Sequence, residues 1–125
     1  MPLISIVDDD LSVRRALRRL LQSAGYSVET FASAGEFLGS SPVGRTACLV
    51  LDIRLEGMTG FELQERLAAD RAAIPTIFIT AHDDAPTRER VQRAGVAAYL
   101  PKPFDQSALL AAIQKVVTPA DTTPV

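Results

Sequence analysis

Two hydrophobic periods alternate along this chain. Five short apolar runs occupy residues 3–7, 27–31, 47–52, 76–80 and 97–100. Runs of this length predict β-strands, and the nearly continuous apolar character of residues 47–52 is typical of a strand buried on both faces. Strands buried in this way belong to parallel sheets. The pattern therefore predicts a parallel sheet with residues 47–52 at its centre.

The segments between these runs have helical spacing. In the first segment, apolar side chains recur at i, i+3, i+4 and i+7 from Val13 to Ala24, and its arginines fall on the opposite face, which we expect in solvent: Arg14, Arg15, Arg18 and Arg19. Further helix starts are predicted by capping residues or capping-box spacing at Asp10 or Ser12, Ser33, Thr59, Asp84 or Ala85, and Asp105. Residues 42–44 predict a loop.

Five strands alternating with five helices predict an α/β domain. The expected fold is flavodoxin-like, with a five-stranded parallel sheet in the order 2-1-3-4-5 and helices on both faces. A length of 125 residues suits one domain. We assign residues 1–117 to this domain. Residues 118–125 contain two prolines and no periodicity, so we expect a tail or the start of a linker to an output domain missing from this chain.

Composition narrows the class of protein. The formal net charge of -2 provides no broad basic field, so direct nucleic-acid binding is not expected. No apolar run approaches the ~20 residues that span a bilayer, and the first residues lack the basic and apolar regions of a secretory signal. A single cysteine, Cys48, cannot form an internal disulfide. We therefore expect a cytoplasmic domain without membrane contact.

Residues able to do chemistry follow four of the five strands. Asp8 and Asp9 follow the first, Asp52 ends the third, Thr80 ends the fourth and Lys102 follows the fifth. In a parallel sheet these positions converge at one edge. Crowded carboxylates raise one another's pKa unless a cation neutralises them, and Mg²⁺ is a hard cation that takes such ligands. A metal, a lysine and a hydroxyl suit a phosphoryl group, and an aspartate can itself be the nucleophile.

At these positions the sequence resembles the receiver domain of two-component response regulators. The resemblance covers roughly residues 3–117. It is most similar to FixJ/LuxR-type transcriptional regulators, through Ile74-Pro75-Thr76 and Thr80-Ala81-His82. The matching motifs are Ile6-Val7-Asp8-Asp9-Asp10, Leu49-Val50-Leu51-Asp52 with Gly57-Met58-Thr59-Gly60, Ile77-Phe78-Ile79-Thr80-Ala81, and Tyr99-Leu100-Pro101-Lys102-Pro103-Phe104.

The resemblance implies a role for each site residue. Asp52 takes a phosphoryl group from a sensor histidine kinase, and Thr80 and Lys102 contact its oxygens. Mg²⁺ is held by Asp9 and Asp52 directly, by Asp8 through water and by the carbonyl of Arg54. Tyr99 occupies the switch position that responds to Thr80.

The resemblance also implies a phosphoacceptor that catalyses only its own phosphotransfer and dephosphorylation, not a classical enzyme. Its expected output is control of an attached DNA-binding domain, or homodimerisation through the face of the fourth helix, fifth strand and fifth helix. The family has a cis bond at the position of Lys102-Pro103. The chain departs from the family at Leu55-Glu56, where Met-Pro is usual, and Glu56 adds negative charge near the site.

Three alternatives stay open. The chain is a single-domain response regulator, or a receiver-like interaction module that is never phosphorylated, or, more remotely, a haloacid dehalogenase-type phosphohydrolase. The last would use Asp8 as nucleophile. It needs a further acidic pair after the lysine, where only Asp105 and Asp121 follow, and it leaves Asp52 without a role.

Overall fold

The computed structural model describes residues 2–70 and 73–117. Strands and helices alternate along the described chain as the hydrophobic pattern predicts. The strands are β1 (Leu3–Val7), β2 (Ser27–Phe31), β3 (Thr46–Asp52), β4 (Thr76–Thr80) and β5 (Ala98–Pro101). The helices are α1 (Leu11–Ser23), α2 (Ala34–Leu38), α3 (Gly60–Ala69), α4 (Ala85–Ala94) and α5 (Gln106–Val117), with a 3₁₀ helix at Ser41–Arg45.

The strands form one parallel sheet in the order β2-β1-β3-β4-β5, which confirms the predicted topology. Its register aligns the carboxyl ends of the strands. Val7 pairs with Leu51, and Leu51 pairs with Phe78 on the other side of β3. Asp8 follows Val7 and Asp52 follows Leu51 by one residue, and Thr80 follows Phe78 by two, so these strands deliver polar side chains to a single edge. The sheet order also makes β1 and β3 neighbours, so the residues that follow them are brought close together.

The apolar side chains of the described residues pack in two layers, one on each face of the sheet. Alternation along β3 sends Cys48 and Val50 to one layer and Leu49 and Leu51 to the other. The first layer is completed by α1 and α5, through Leu17, Leu21, Leu109 and Ile113. The second is completed by α2, α3 and α4, through Phe37, Phe61, Leu63, Leu67 and Val91. The central strand is therefore covered on both faces, as its composition predicts.

Helix starts follow the predicted capping residues. Asp10 caps α1, since its Oδ1 accepts from the backbone N of Ser12 at 2.8 Å. Asp84 caps α4 by accepting from Thr87 N, also at 2.8 Å. Thr59 and Glu62 form a complete capping box at α3.

The capping box predicted at α2 is incomplete. Ser33 Oγ accepts from Glu36 N, but the Glu36 carboxylate accepts from Ala32 N, one residue before the cap. The cap still satisfies backbone donors at the helix start, which is what a polar residue at this position supplies.

Some predicted bounds are wrong by a residue or more. Residues 42–44, predicted as a loop, lie in the 3₁₀ helix, where Pro42 stands in the first turn. This turn leads into β3, and Thr46 Oγ1 donates to the carbonyl of Pro42 at 2.7 Å. β5 lies one residue further along than predicted and includes Pro101. Residues 118–125 lie outside the described residues. Of the helices described, none is long and apolar enough to cross a bilayer.

Candidate functional site

The first carboxylate of the site is held by the turn between β1 and α1. Asp8 is fully buried, and its Oδ1 accepts from the backbone N of Asp10 at 2.9 Å. Arg14 Nη1 donates to the carbonyl of Asp8 at 2.6 Å. Arg14, expected in solvent with the other arginines of α1, is instead half-buried against this turn. No sequence pattern indicates that contact, because it depends on how α1 packs over the end of β1.

Asp52 ends the central strand and is 7% exposed. Its Oδ1 accepts from the backbone N of Arg54 at 3.0 Å. The loop that follows then returns to the strand, where Gly60 N donates to the carbonyl of Ile53 at 2.8 Å. A Cβ on Gly60 would lie 2.8 Å from the carbonyl oxygen of Asp52 and 3.0 Å from the Cα of Ile53. The close return of the loop therefore requires glycine at position 60.

Lys102 joins the two buried carboxylates. Its Nζ donates to Asp8 Oδ2 at 2.9 Å and to Asp52 Oδ2 at 3.1 Å. Its backbone N donates to the carbonyl of Thr80 at 2.6 Å, so the end of β4 fixes where the lysine starts. The Lys102-Pro103 peptide bond is cis. We call Asp8, Asp52 and Lys102 the strand-end cluster.

Burial and charge oppose each other within the strand-end cluster. Burial raises the pKa of Asp52, the nearby Asp8 carboxylate raises it further, and bonds from Arg54 N and Lys102 only partly offset this, so that the net shift is upward. Burial lowers the pKa of Lys102, but its bonds to Asp8 and Asp52 prevail and the net shift is also upward. The ammonium is therefore held firmly, while the Asp52 carboxylate still lacks positive charge.

Asp9 adds a third carboxylate at the same edge. Asp8, Asp9 and Asp52 can each offer an oxygen within 4.8 Å of the others, and Asp9 is exposed where the other two are buried. Three carboxylates facing the single ammonium of Lys102 leave two negative charges uncompensated at neutral pH. An oxygen-only ligand set with excess negative charge fits a hard divalent cation such as Mg²⁺.

Thr80 is fully buried at the end of β4. Its Oγ1 accepts from the backbone N of His82 at 3.0 Å. A hydroxyl has one hydrogen and two lone pairs, so Thr80 retains a donor that is free to turn. The predicted site residue thus lies at the same sheet edge, and its hydroxyl contacts the loop between β4 and α4.

A second charged cluster lies at the far side of that loop. Tyr99 OH donates to Asp83 Oδ1 at 2.8 Å, and Arg88 Nη1 donates to the same oxygen at 3.0 Å. Burial and the Asp83 bond raise the pKa of Tyr99 to about 12. The bonds from Tyr99 and Arg88 lower the pKa of Asp83. We call Asp83, Arg88 and Tyr99 the loop cluster. The sequence singled out Tyr99, but nothing in it distinguished Asp83 from the adjacent helix cap.

The loop after Asp52 carries the chain's departure from the usual Met-Pro. Arg54 and Glu56 are both exposed. The turn is made by Gly57, whose φ of 83° lies in the left-handed region, and by a bond from Met58 N to the carbonyl of Glu56 at 3.0 Å. Glycine therefore provides the turn in a loop that lacks the usual proline.

Comparison with known proteins agrees with this geometry. Residues 4–114 match the family model described as response regulator receiver domain. Nodulation protein W of Bradyrhizobium diazoefficiens is 43% identical over 111 residues, which are 89% of this chain and 49% of that protein. The transcriptional regulatory protein FixJ of the same organism is 35% identical over 118 residues, 94% of this chain and 58% of that protein.

A solved structure extends the likeness to the backbone. The response regulator StyR superimposes with a TM-score of 0.86 at 50% identity, covering 94% of this chain and 59% of that one. The chain thus spans about half the length of the curated relatives described above.

Proposed function

The chain belongs to the response regulator receiver domain family, and from that premise we propose that Asp52 accepts a phosphoryl group from a sensor histidine kinase. The observation that carries the proposal is the strand-end cluster, in which Lys102 Nζ contacts both Asp8 and Asp52 at the carboxyl edge of the sheet. Asp52 ends the central strand and lies 3.1 Å from the Lys102 ammonium, which supplies the positive charge that a phosphoryl group needs.

In the proposed reaction, a carboxylate oxygen of Asp52 forms a bond to phosphorus while the phosphorus–nitrogen bond of the kinase phosphohistidine breaks. The leaving imidazole nitrogen retains the electron pair. Asp52 keeps one oxygen for the bond from Arg54 N, which orients the carboxylate. Lys102 stabilises charge on the phosphoryl oxygens, and Thr80 donates its hydroxyl hydrogen to one of them. We extend the proposal to dephosphorylation by the same domain.

We propose that Mg²⁺ is the metal of this site, held by Asp8, Asp9, Asp52 and the carbonyl of Arg54. Bound there, it would supply positive charge to the phosphoryl oxygens during transfer. The fit is supported by the excess of carboxylate over ammonium and by the proximity of the three carboxylates. The Asp9 side chain is the exposed member of the set and therefore the one most open to an entering hydrated cation.

We propose that the response to phosphorylation is carried out by a longer protein of which this domain is a part. One relative is a transcriptional regulatory protein, and this chain spans just over half of its length. We propose that phosphorylation changes the face made by α4, β5 and α5, which promotes homodimerisation or frees an attached DNA-binding domain. Three arginines of α4 are exposed and available to such an interface: Arg88, Arg90 and Arg93.

Phosphorylation and site mapping test the acceptor. The wild-type chain, incubated with acetyl phosphate and Mg²⁺, is expected to gain one acyl phosphate, which borohydride reduction and mass spectrometry locate at Asp52. Asp52→Asn should lose the modification. Glu56→Gln is the matched control, because it removes an exposed carboxylate from the same loop and should retain it.

Each contrary result selects another function. A label on Asp8 that survives in Asp52→Asn would support a phosphohydrolase with Asp8 as nucleophile. No label on the wild type, from acetyl phosphate or from a kinase, would support an interaction module that is never phosphorylated. A single-domain regulator would be labelled at Asp52 and encoded by a gene that ends with this domain.

A further inference from the structure

The loop cluster connects three elements that a phosphorylation signal would have to move. Asp83 lies on the loop between β4 and α4, Arg88 on the first turns of α4 and Tyr99 on β5. Asp83 Oδ1 accepts from both Tyr99 OH and Arg88 Nη1, and the Asp83 carbonyl accepts from Arg88 Nη1 at 3.2 Å. One carboxylate thus ties β5 and α4 to the same loop.

We propose that Asp83 is a positioning residue that holds Tyr99 and α4 in the unphosphorylated arrangement, as a latch that opens when Thr80 turns to a phosphoryl group. This inference rests on the proposed function of Asp52. It adds a residue outside the strand-end cluster. It also gives the loop cluster a role in the equilibrium between the unphosphorylated and phosphorylated arrangements of the domain.

The connection from the strand-end cluster to the latch is short. Thr80 Oγ1 accepts from the backbone N of His82, the residue immediately before Asp83. When rotation of the Thr80 side chain carries Oγ1 towards a phosphoryl oxygen, His82 N loses this acceptor. The backbone that carries Asp83 is then free to move, and Asp83 Oδ1 is displaced from the hydroxyl of Tyr99.

Few contacts hold α4 against the rest of the domain, so the bond from Arg88 to Asp83 can affect its position. Val91 is the buried residue of α4, every residue of which the structure describes. Ala94 is partly buried against the same apolar layer, and its carbonyl accepts from Gln64 Nε2. The Arg90 guanidinium lies 4.3 Å from the centre of the Phe61 ring. A groove of about 880 Å³ is lined by residues of both α3 and α4. A shift of α4 would therefore disturb the apolar packing of only two of its side chains, Val91 and Ala94.

The expected size of the effect is small because the latch is exposed. The Arg88 and Asp83 side chains are 52% and 38% exposed, and interactions between exposed charges are weak. Removing the carboxylate should therefore change the equilibrium between the two states by about two- to fivefold. A change of that size matters in a switch whose two states lie close in free energy.

The test follows Tyr99 directly. The chain has two tyrosines and no tryptophan, so Tyr26→Phe leaves Tyr99 as the one tyrosine. In this background, labelled with 3-fluorotyrosine, the ¹⁹F resonance of Tyr99 reports its surroundings with and without beryllofluoride and Mg²⁺, which mimic the phosphoryl group. Asp83→Ala is compared with Glu89→Ala, which removes an exposed carboxylate from α4 with the same change in net charge.

Without beryllofluoride, Asp83→Ala should move the Tyr99 resonance part of the way to its beryllofluoride-bound position and tighten the apparent affinity for beryllofluoride two- to fivefold. Glu89→Ala should do neither. Asp83→Asn, which keeps an oxygen acceptor but loses the charge, should fall between Asp83→Ala and the parent. In unlabelled protein, the effects of Asp83→Ala and Tyr99→Phe on affinity should be less than additive, because both changes remove the bond between Asp83 and Tyr99, whereas only Asp83→Ala also removes the bond from Arg88.

The outcomes separate the latch from the proposed function. If the parent protein binds beryllofluoride and Asp83→Ala matches Glu89→Ala in resonance and affinity, the latch is overturned and the acceptor role of Asp52 stands. Additive effects of Asp83→Ala and Tyr99→Phe would also overturn the latch. If the parent does not bind beryllofluoride at all, the proposed function fails first and the latch fails with it.

Discussion

The strand-end cluster and the loop cluster contain similar chemistry in different surroundings. In each, a cationic side chain donates to an aspartate at nearly the same distance, 2.9 Å for Lys102 to Asp8 and 3.0 Å for Arg88 to Asp83. The Asp8 side chain is fully buried, whereas that of Asp83 is 38% exposed. The donor–acceptor distance therefore does not distinguish a strong ion pair from a weak one. The burial of the carboxylate does, because water screens exposed charges.

The pKa of Asp52 and the pKa of Asp83 are shifted in opposite directions. Burial and the Asp8 carboxylate raise the pKa of Asp52, while bonds from Tyr99 and Arg88 lower that of Asp83. The first site is short of positive charge and suits an entering cation and phosphoryl group. The second is satisfied by its own partners. The loop between β4 and α4 joins the two clusters.

The largest expected contrast comes from removing the cation of each cluster. Lys102→Met leaves two adjacent carboxylates without their ammonium and should lower the free energy of unfolding by about 2–3 kcal/mol. Arg88→Met removes an exposed partner and should cause no measurable loss. Urea denaturation of both variants in EDTA, against the parent, measures the difference. Equal losses of unfolding free energy in the two variants would show that burial does not make the strand-end cluster stronger than the loop cluster.

A smaller effect is expected from the metal. Mg²⁺ at ten times its dissociation constant should stabilise the wild type by about 1.4 kcal/mol, since it binds the folded chain. Asp9→Asn should lose this stabilisation while its melting temperature in EDTA changes little, because Asp9 is exposed. Asp83→Asn, in the other cluster, should keep the full response. Thermal melts across a Mg²⁺ titration test this, and a full response in Asp9→Asn would remove that residue from the metal site.

The smallest expected effect concerns pH, and its sign differs between the clusters. The raised pKa of Asp52 means that the folded chain binds a proton more tightly there than the unfolded chain, so wild-type stability falls as pH rises from the usual pKa of 3.8 through the folded-state value. Asp52→Asn removes the ionisable carboxyl group, and its stability should therefore not fall with rising pH in this way. It should be more stable than the wild type by about 1 kcal/mol at pH 7 in EDTA, and the advantage should shrink as pH falls towards 4.

Asp83 behaves in the opposite way. Its lowered pKa contributes stability above the usual value of 3.8, which is lost as pH falls through the folded-state value. Asp83→Asn should therefore be the less stable chain at neutral pH and should equal the wild type in acid. Denaturation curves at several pH values compare both variants. The same pH trend for the two substitutions would contradict the contrast between the clusters.

Contacts between residues that are close in the chain could be predicted from the sequence. Thr59 and Glu62 bond across three residues, and Asp10 and Asp84 cap the next turn, so each signal and its target are neighbours in the chain. The strands are determined equally well, because a run of apolar residues must be buried wherever it pairs. The convergence of Asp8, Asp52, Thr80 and Lys102 followed from one further rule, that parallel strands end at the same edge.

The long-range partners of these residues could not be predicted, because they depend on the packed fold. Lys102 bridges carboxylates 94 and 50 residues away, and Tyr99 finds Asp83 across 16 residues. These contacts depend on the twist of the sheet and on how far each side chain extends beyond a strand end, and neither quantity is written in a hydrophobic pattern. Burial is decided in the same way. Asp8 and Asp9 are adjacent and chemically identical, yet Asp8 is buried at the sheet edge, where Asp10 N and Lys102 Nζ donate to it, and Asp9 is exposed on the turn that follows.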